Sequence, residues 1–436
     1  THKAQQQLEK YVLEQIPFMQ RVRLREGNVN QPLMAAAVLG VAGERYEKGE
    51  WREEAAARLE ALRRQLSDTG SVSEYNSPTY QAVSLAALAF LAENAKDPSL
   101  QCTAQVLLER LWLDTVLHFH WPTGIVAGPY SRAYADNSTG RFSLLALLNL
   151  KLLPTPEASF FDPREAIAYD HGHDLGFTPL FADLQVSLPT HFIAGLSRHI
   201  PQQLVSKTRC TPYVKGGEAY PGGEAELVTY STSAFALATA SRPYSDGGQC
   251  EGFYLQWRRH EFDRVPPGVA YMRYVVNDAQ VDAPNYNEEL DTRFTRSLLL
   301  NQGRWYALQR GHRALVLYHP KRCQPRFIHA LSLQVLLPGF SPTELWLGGQ
   351  CFTGDDLERE LTAPADQALV WVDGLTTVGL RPLAVTDAGG GGSWRIRAQG
   401  RHMVLGLENY RGAAREFSPA ELTLMENGLL VEVYHR

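Results

Sequence analysis

The sequence lacks the features that identify disulfide-rich, zinc-binding, membrane-spanning and nucleic-acid-binding proteins. Its five cysteines are scattered without CxxC spacing, which argues against a disulfide framework and against a zinc knuckle. No apolar run approaches the length that spans a bilayer. Lysine and arginine total 42 against 47 aspartate and glutamate residues, and the formal charge of −5 points to neither a nucleic-acid nor a membrane partner.

What remains is an ordinary globular composition, with 44% hydrophobic and 20% charged residues in a chain of 436. This length exceeds what a single core usually supports, so two domains are expected. The sequence opens on Thr1 rather than Met, with no signal-like apolar stretch. The compartment is left open, and a soluble protein, secreted or periplasmic with its signal segment absent from this chain, fits the sequence.

The first half of the chain carries apolar residues at helical spacing. Leu8, Tyr11, Val12 and Ile16 fall at i, i+3, i+4 and i+8 and predict one face of a first helix. Similar patterns predict further helices at residues 55–66, 78–95, 103–118, 142–153 and 187–200. The stretch 82–92 is apolar on nearly all sides, which is typical of a helix inside a second layer. A two-layer helical ring, the α/α toroid, satisfies both kinds of helix, and about 200 residues would give an incomplete ring.

The second half of the chain changes period. Strand-length segments rich in β-branched and aromatic residues, separated by turn signals, lie at 224–239, 253–257, 269–276, 305–309, 314–318, 369–372, 394–398, 402–407 and 429–434. Many short strands without intervening helices predict an antiparallel β-sandwich. The predicted fold class is multidomain α+β, with an incomplete α/α toroid over residues 1–205 and a sandwich over residues 206–436. The changeover is expected between Ile200 and Glu224.

Polar residues are dense in three segments, and the first runs from Glu74 to Tyr80. Asn76 and Tyr80 lie at i and i+4, so a helix that begins at Ser77 would point both toward one spot at its N-terminus. The N-terminal end of a helix favours a bound carboxylate. An ordinary N-cap followed by Pro78 explains the same residues equally well.

The second segment, residues 128–134, places two tyrosines on either side of an arginine. In extended structure Tyr130, Arg132 and Tyr134 share a face. A guanidinium among tyrosines is suited to bind an anion, since it matches a carboxylate with two parallel hydrogen bonds. An ordinary loop whose arginine pairs with a nearby carboxylate is the alternative.

The third segment, residues 169–174, contains His171 and His173 with carboxylates beside them. Two histidines at this spacing could bind a metal, yet no third soft ligand lies nearby in the sequence, and we expect no metal site. A catalytic or substrate-binding loop and a purely structural His-Gly-His turn both remain open. The same functional and structural interpretations apply to the pair His118 and His120.

A helical half followed by a sandwich, with Asn, Tyr, Arg and His clustered as above, resembles the toroid-plus-sandwich polysaccharide lyases, including the heparinase II/III-like group. The resemblance covers nearly the whole chain as a layout and the three segments by residue type. It implies cleavage of a uronic-acid-containing polysaccharide by β-elimination, with no cofactor. In those enzymes Asn, His or Arg binds the uronate carboxylate, which lowers the pKa of the C5 proton. Tyr or His removes that proton, and Tyr donates one to the leaving oxygen.

The resemblance assigns roles to residues of the three segments. The expected substrate-binding residues are Asn76, Arg132, His171 and Tyr130. The expected catalytic residues are Tyr134 as proton donor and His173 or Tyr80 as base. These side chains should converge on one cleft of the helical half that the sheet closes on one side. The expected partner is an acidic polysaccharide or oligosaccharide.

Two other functions stay open. A glycosidase needs two carboxylates that flank the scissile bond, and no pair stands out, although Glu74, Asp136, Asp170 and Asp174 are candidates. A non-catalytic glycan-binding protein would present the same surface and would bind without turnover, because a fold alone does not fix a function.

Overall fold

A computed structural model describes most of the chain. The described residues are 2–22, 28–133, 144–146, 148, 176–184, 202–210, 213–215, 218–220, 223–243, 251–259, 267–280, 299, 301–321, 327–339, 342–390, 392–400 and 402–436. The predicted helix at residues 187–200 lies outside them, as do Tyr134, His171 and His173.

Helices occupy the N-terminal part of the chain. They are α1 (His2–Arg21), α2 (Asn30–Arg45), α3 (Gly49–Thr69), α4 (Tyr80–Asn94), α5 (Pro98–His118) and the short α6 (Thr178–Asp183). One more short helix, α7 (Pro419–Leu424), lies near the end of the chain. Within the described helices, none is both long enough and apolar enough to cross a membrane.

Helix α4 is the buried centre of the helical part. Its apolar residues point to all sides, and Ala82, Leu85 and Leu88 are each at most 1% exposed. It packs between α2 and α5, as an all-apolar helix requires. The helical domain is therefore confirmed, while its closure into a toroid stays a prediction.

Helices α4 and α5 each begin at a different residue from the predicted one. The regular part of α4 begins at Tyr80 rather than at Pro78, although the chain already turns at Ser77, whose hydroxyl accepts from the Tyr80 N–H at 3.2 Å. Helix α5 begins at Pro98 rather than at residue 103, since the Asp97 carboxylate accepts from the Ser99 N–H at 2.8 Å.

The predicted first helix is confirmed as α1, but most of its apolar face is exposed. Ile16 is buried, but Leu8 is 65% exposed and Tyr11 is 61% exposed. The helical spacing correctly predicts the helix, since spacing depends on local pattern. Whether a face is covered depends on the rest of the structure.

Antiparallel strands build the part of the chain from residue 202 onward, and two two-residue strands precede them directly after α5. They are β1 (Phe119–His120), β2 (Ile125–Val126), β3 (Gln202–Cys210), β4 (Tyr213–Lys215), β5 (Glu218–Tyr220), β6 (Gly223–Ser231), β7 (Phe235–Ala240), β8 (Phe253–Trp257), β9 (Gly268–Val276), β10 (Gly303–Arg310), β11 (Arg313–Pro320), β12 (Ile328–Pro338), β13 (Glu344–Leu347), β14 (Gln350–Phe352), β15 (Leu361–Pro364), β16 (Leu369–Asp373), β17 (Thr376–Val385), β18 (Ser393–Gln399), β19 (His402–Arg415) and β20 (Asn427–His435). The first long strand starts at Gln202, so the predicted domain boundary at residues 205/206 falls inside β3.

Two large sheets form the sandwich. One has nine strands in the order β15-β18-β19-β12-β9-β8-β7-β6-β3, and the other has seven in the order β10-β11-β20-β17-β16-β13-β14. Their inner faces share a core of fully buried aromatic side chains, in which the rings of Trp257 and Trp371 lie 6.2 Å apart. The predicted helical domain followed by an antiparallel sandwich is confirmed.

The nine-stranded sheet is covered on both faces at its middle. Every residue of β7, β8 and β9 is buried, although successive side chains of a strand point to opposite faces. One face meets the second sheet. The other is bound to the helical part, through Thr208 to the Val72 carbonyl (2.8 Å) and Thr229 to the Gly128 carbonyl (2.7 Å). Loops of the helical part are thus enclosed between helices and sheet.

Candidate functional site

Two of the three polar segments meet where the helices join the sheet. The Asn76 amide nitrogen donates to the carbonyl of Ala127 at 2.6 Å and to that of Pro129 at 3.1 Å. The Ser131 N–H donates to the Tyr75 carbonyl at 3.2 Å. We call residues 74–76 and 127–132 the junction loops. The structure therefore brings Asn76 beside the segment that carries Tyr130 and Arg132.

Asn76 acts as the clamp between the junction loops. It has a left-handed backbone (φ 50°), which asparagine adopts more readily than most residues, and it is 2% exposed. Both amide hydrogens are used on backbone carbonyls, while the buried side-chain oxygen has no hydrogen-bond partner within the described structure. In this arrangement Asn76 offers an acceptor, rather than the donor that a carboxylate ligand needs.

Glu74 ties the first junction loop to the start of helix α2. Its carboxylate accepts from the backbone N–H groups of Val29 (2.7 Å) and Asn30 (2.9 Å), and from the Asn30 side chain (2.9 Å). Those N–H groups would otherwise be unpaired at a helix N-terminus. Burial raises the pKa of Glu74, and the nearby positive charge of Arg132 opposes that shift. Glu74 therefore fixes the first junction loop to α2, and its carboxylate attracts the Arg132 guanidinium electrostatically.

Tyr75 and His118 form a buried pair beside this loop. The Tyr75 hydroxyl contacts His118 Nε2, the two rings meet edge to face at 5.1 Å, and both residues are at most 3% exposed. His118 Nδ1 lies 2.6 Å from the Asp114 carbonyl, which can only accept a hydrogen bond. Nδ1 therefore carries the proton, and Nε2 accepts from the Tyr75 hydroxyl.

Burial sets the charge of this pair. It lowers the pKa of His118 to about 4 and raises the pKa of the Tyr75 hydroxyl well above its ordinary value. Both groups are consequently neutral at pH 7, with the tyrosine as donor. The pair was not found from the sequence, because the two residues are 43 positions apart and no spacing rule links them. The sequence draws attention to each residue separately, to Tyr75 in the segment from Glu74 to Tyr80 and to His118 in the pair with His120, but not to their contact.

Tyr130 is placed in the packing against the sheet rather than at a surface. It is fully buried, its hydroxyl donates to the Val126 carbonyl, and its ring lies edge to face with Tyr254 at 4.9 Å. Its carbonyl accepts from the Glu251 N–H at 3.0 Å. The predicted contact of Tyr130 with substrate is not supported by this position.

A fully buried ion pair lies behind Tyr130. Glu251 and Arg273 are both 0% exposed and their side chains are 3.0 Å apart. Arg273 also donates to the Leu299 carbonyl at 2.8 Å and lies over the Tyr271 ring. This pair anchors the strand end that contacts the second junction loop.

The remaining predicted residues divide into two groups. Arg132 is 8% exposed and donates to the Ser131 carbonyl at 3.0 Å, while Tyr80 is partly exposed at the first turn of α4. Tyr134, His171 and His173 lie outside the described residues. Among the residues that the structure describes, no cluster of three or more His, Cys, Asp or Glu could hold a metal ion.

Comparison with known proteins gives one family match. A model of a domain of unknown function (DUF8769) matches residues 19–186. This region contains both junction loops and all seven predicted site residues. No curated protein matches the chain.

Proposed function

We propose that this protein is a polysaccharide lyase that cleaves a uronic-acid-containing polysaccharide by β-elimination. The observation that carries the proposal is the clamp by which Asn76 holds the Arg132 segment at the helix–sheet junction. It brings Asn76 and Arg132, two of the predicted substrate-binding residues, to the same junction. The helical domain followed by an antiparallel sandwich supports the same proposal by layout.

The reaction assigns a distinct task to each group. Arg132 binds the uronate carboxylate, so that negative charge developing at C5 is stabilised. A base, His173 or Tyr80, takes the C5 proton; the C5 electron pair forms the C4–C5 double bond and the bond from C4 to the leaving oxygen breaks. Tyr134 gives that oxygen a proton. Asn76 acts indirectly by positioning the Arg132 segment, because its amide hydrogens are already engaged.

Two buried carboxylates of the described junction have other partners, while the candidates Asp136, Asp170 and Asp174 lie outside the described residues. Glu74 is bound to the N-terminus of α2, and Asp114 is 2.6 Å from Arg110. Neither is placed to face a second carboxylate across a sugar ring, which a glycosidase requires.

The test is incubation with a panel of uronate polysaccharides while ultraviolet absorbance of the C4–C5 double bond is recorded. We expect absorbance with one substrate class, and a loss of roughly 10²–10⁴-fold in turnover for Tyr134→Phe. Tyr11→Phe on the exposed part of α1 is the matched control and should retain full turnover. New reducing ends without absorbance would indicate a hydrolase, and binding without products would indicate a glycan-binding protein.

A further inference from the structure

The outer face of the seven-stranded sheet has an unusual composition. We call the outward-facing residues of β10, β11, β20 and β17 the arginine face. Its apolar members include Leu308, which is 66% exposed, and Leu315, which is 41% exposed. A contiguous exposed apolar patch bordered by polar groups is one of the features of binding surfaces.

Strand register arranges the apolar members in a line. Leu308 is paired with Leu315, Leu315 with Leu430, and Leu430 with Arg381. The three leucines lie on adjacent strands, so the apolar line is roughly 10 Å long at about 4.8 Å per strand spacing, and Arg381 stands at its end on the fourth strand. A straight, narrow apolar line on a sheet fits an extended chain that crosses the strands.

Positively charged side chains flank this line on both sides. On one side Tyr306 lies under the Arg304 guanidinium, whose carbon is 5.3 Å from the ring centroid. On the other side Arg310 is paired in register with Arg313. Arg313 has an ion pair with Glu432 at 2.7 Å, whereas Arg304, Arg310 and Arg381 have none in the described part of the chain.

We propose that the arginine face is a second, non-catalytic binding surface for the uronate polysaccharide, an inference that rests on the proposed function. The C–H faces of sugar rings pack on the leucine line and on Tyr306, since both are apolar. Carboxylates at the ring edges reach the flanking guanidinium groups, which match them in charge and geometry. The net charge of the protein is −5, so this basic surface is local and gives a polyanion a preferred place to bind.

The test measures the mobility of the protein in native gels that contain polygalacturonate or alginate. Two control gels contain poly-L-glutamate, a polyanion without sugar rings, and dextran, a neutral glycan. We expect retardation by the uronate polymers to exceed retardation by poly-L-glutamate, with none by dextran. Arg304→Gln/Arg381→Gln should weaken uronate binding by about tenfold, from the loss of two exposed ion pairs. Arg63→Gln/Arg64→Gln on the exposed side of α3 makes the same charge change and should leave binding unaltered.

Turnover separates this inference from the proposed function. The Arg304→Gln/Arg381→Gln variant should cleave short uronate oligosaccharides at the wild-type rate. If the wild-type protein binds the polymer but cleaves no substrate, the lyase proposal is wrong and the inference about the arginine face still stands. Equal retardation by poly-L-glutamate would overturn the inference in favour of an acidic polypeptide partner. Unchanged uronate binding by the double variant would also overturn it. A loss of oligomeric mass in light scattering, with binding intact, would reassign the face to contacts between copies of the chain.

Discussion

Replacement of Asn76 tests whether the clamp between the junction loops is as important as its geometry indicates. Asn76→Ala removes two buried hydrogen bonds, to the carbonyls of Ala127 and Pro129. Each of the two buried carbonyls left unpaired costs about 1–3 kcal/mol, so a loss of roughly 2–6 kcal/mol in the free energy of unfolding is expected. The left-handed backbone adds roughly 1 kcal/mol for alanine, because its Cβ is crowded there.

Asn76→Gly separates the two contributions. Glycine adopts the left-handed backbone without strain, so this variant should lose the clamp bonds alone and be more stable than Asn76→Ala by roughly 1 kcal/mol. Urea unfolding followed by tryptophan fluorescence and circular dichroism measures both. Asn94→Ala, an exposed asparagine at the end of α4, is the control and should change stability by less than about 0.5 kcal/mol.

The reasoning fails if the free energy of unfolding of Asn76→Ala is within about 1 kcal/mol of the wild-type value, since the two buried carbonyls would then have other hydrogen-bond donors. It also fails if the alanine and glycine variants are equally stable. Turnover on uronate polymer, measured where each variant is folded, should fall in both, because the Arg132 segment is no longer held. Normal turnover in a folded Asn76→Gly protein would remove the positioning role from Asn76.

Three further predictions follow from buried groups. Arg273→Met should destabilise the protein by about 3–5 kcal/mol, because the Glu251 carboxylate stays buried without its cation. In urea unfolding, Arg273→Met/Glu251→Gln should recover much of the lost stability. No recovery would contradict the ion-pair account. The pKa of His118 is about 4 when folded against 6.5 for an ordinary histidine, so its contribution to stability is complete above about pH 6.5 and is lost as the pH falls toward 4. His118→Gln should flatten this pH dependence, and an unchanged profile would exclude His118 as its source. Gly252→Ala should cost about 1–3 kcal/mol because a Cβ there overlaps the Trp305 ring, which a thermal melt would detect; an unaltered melting temperature would show that the ring can move aside.

Much of the fold follows from short-range sequence pattern. The all-apolar stretch at 82–92 predicts the buried helix α4, and the period-two segments after residue 224 predict the strands of the sandwich. The start of α5 lies at Pro98 rather than at the predicted residue 103, because the Asp97 carboxylate caps the helix through side-chain hydrogen bonds. Periodicity does not report such bonds.

The convergence of the seven predicted site residues on one cleft stays a prediction, since Tyr134, His171 and His173 lie outside the described residues. The residue types of segments 74–80 and 128–134 correctly drew attention to two stretches that the structure places in contact. Their individual roles changed, since Asn76 is a clamp and Tyr130 is packed against Tyr254. The Tyr75–His118 pair and the Glu251–Arg273 pair had no sequence signature.

The succession of helices and then strands follows from local sequence, because helix and strand preferences depend on residues only a few positions apart. Which polar groups meet, which are buried, and therefore which are charged depends on the tertiary structure. Burial gives His118 a pKa of about 4 and leaves Glu251 dependent on Arg273, yet neither effect is a property of the local sequence. Desolvation and hydrogen bonding act through space, between segments that are tens to hundreds of residues apart along the chain.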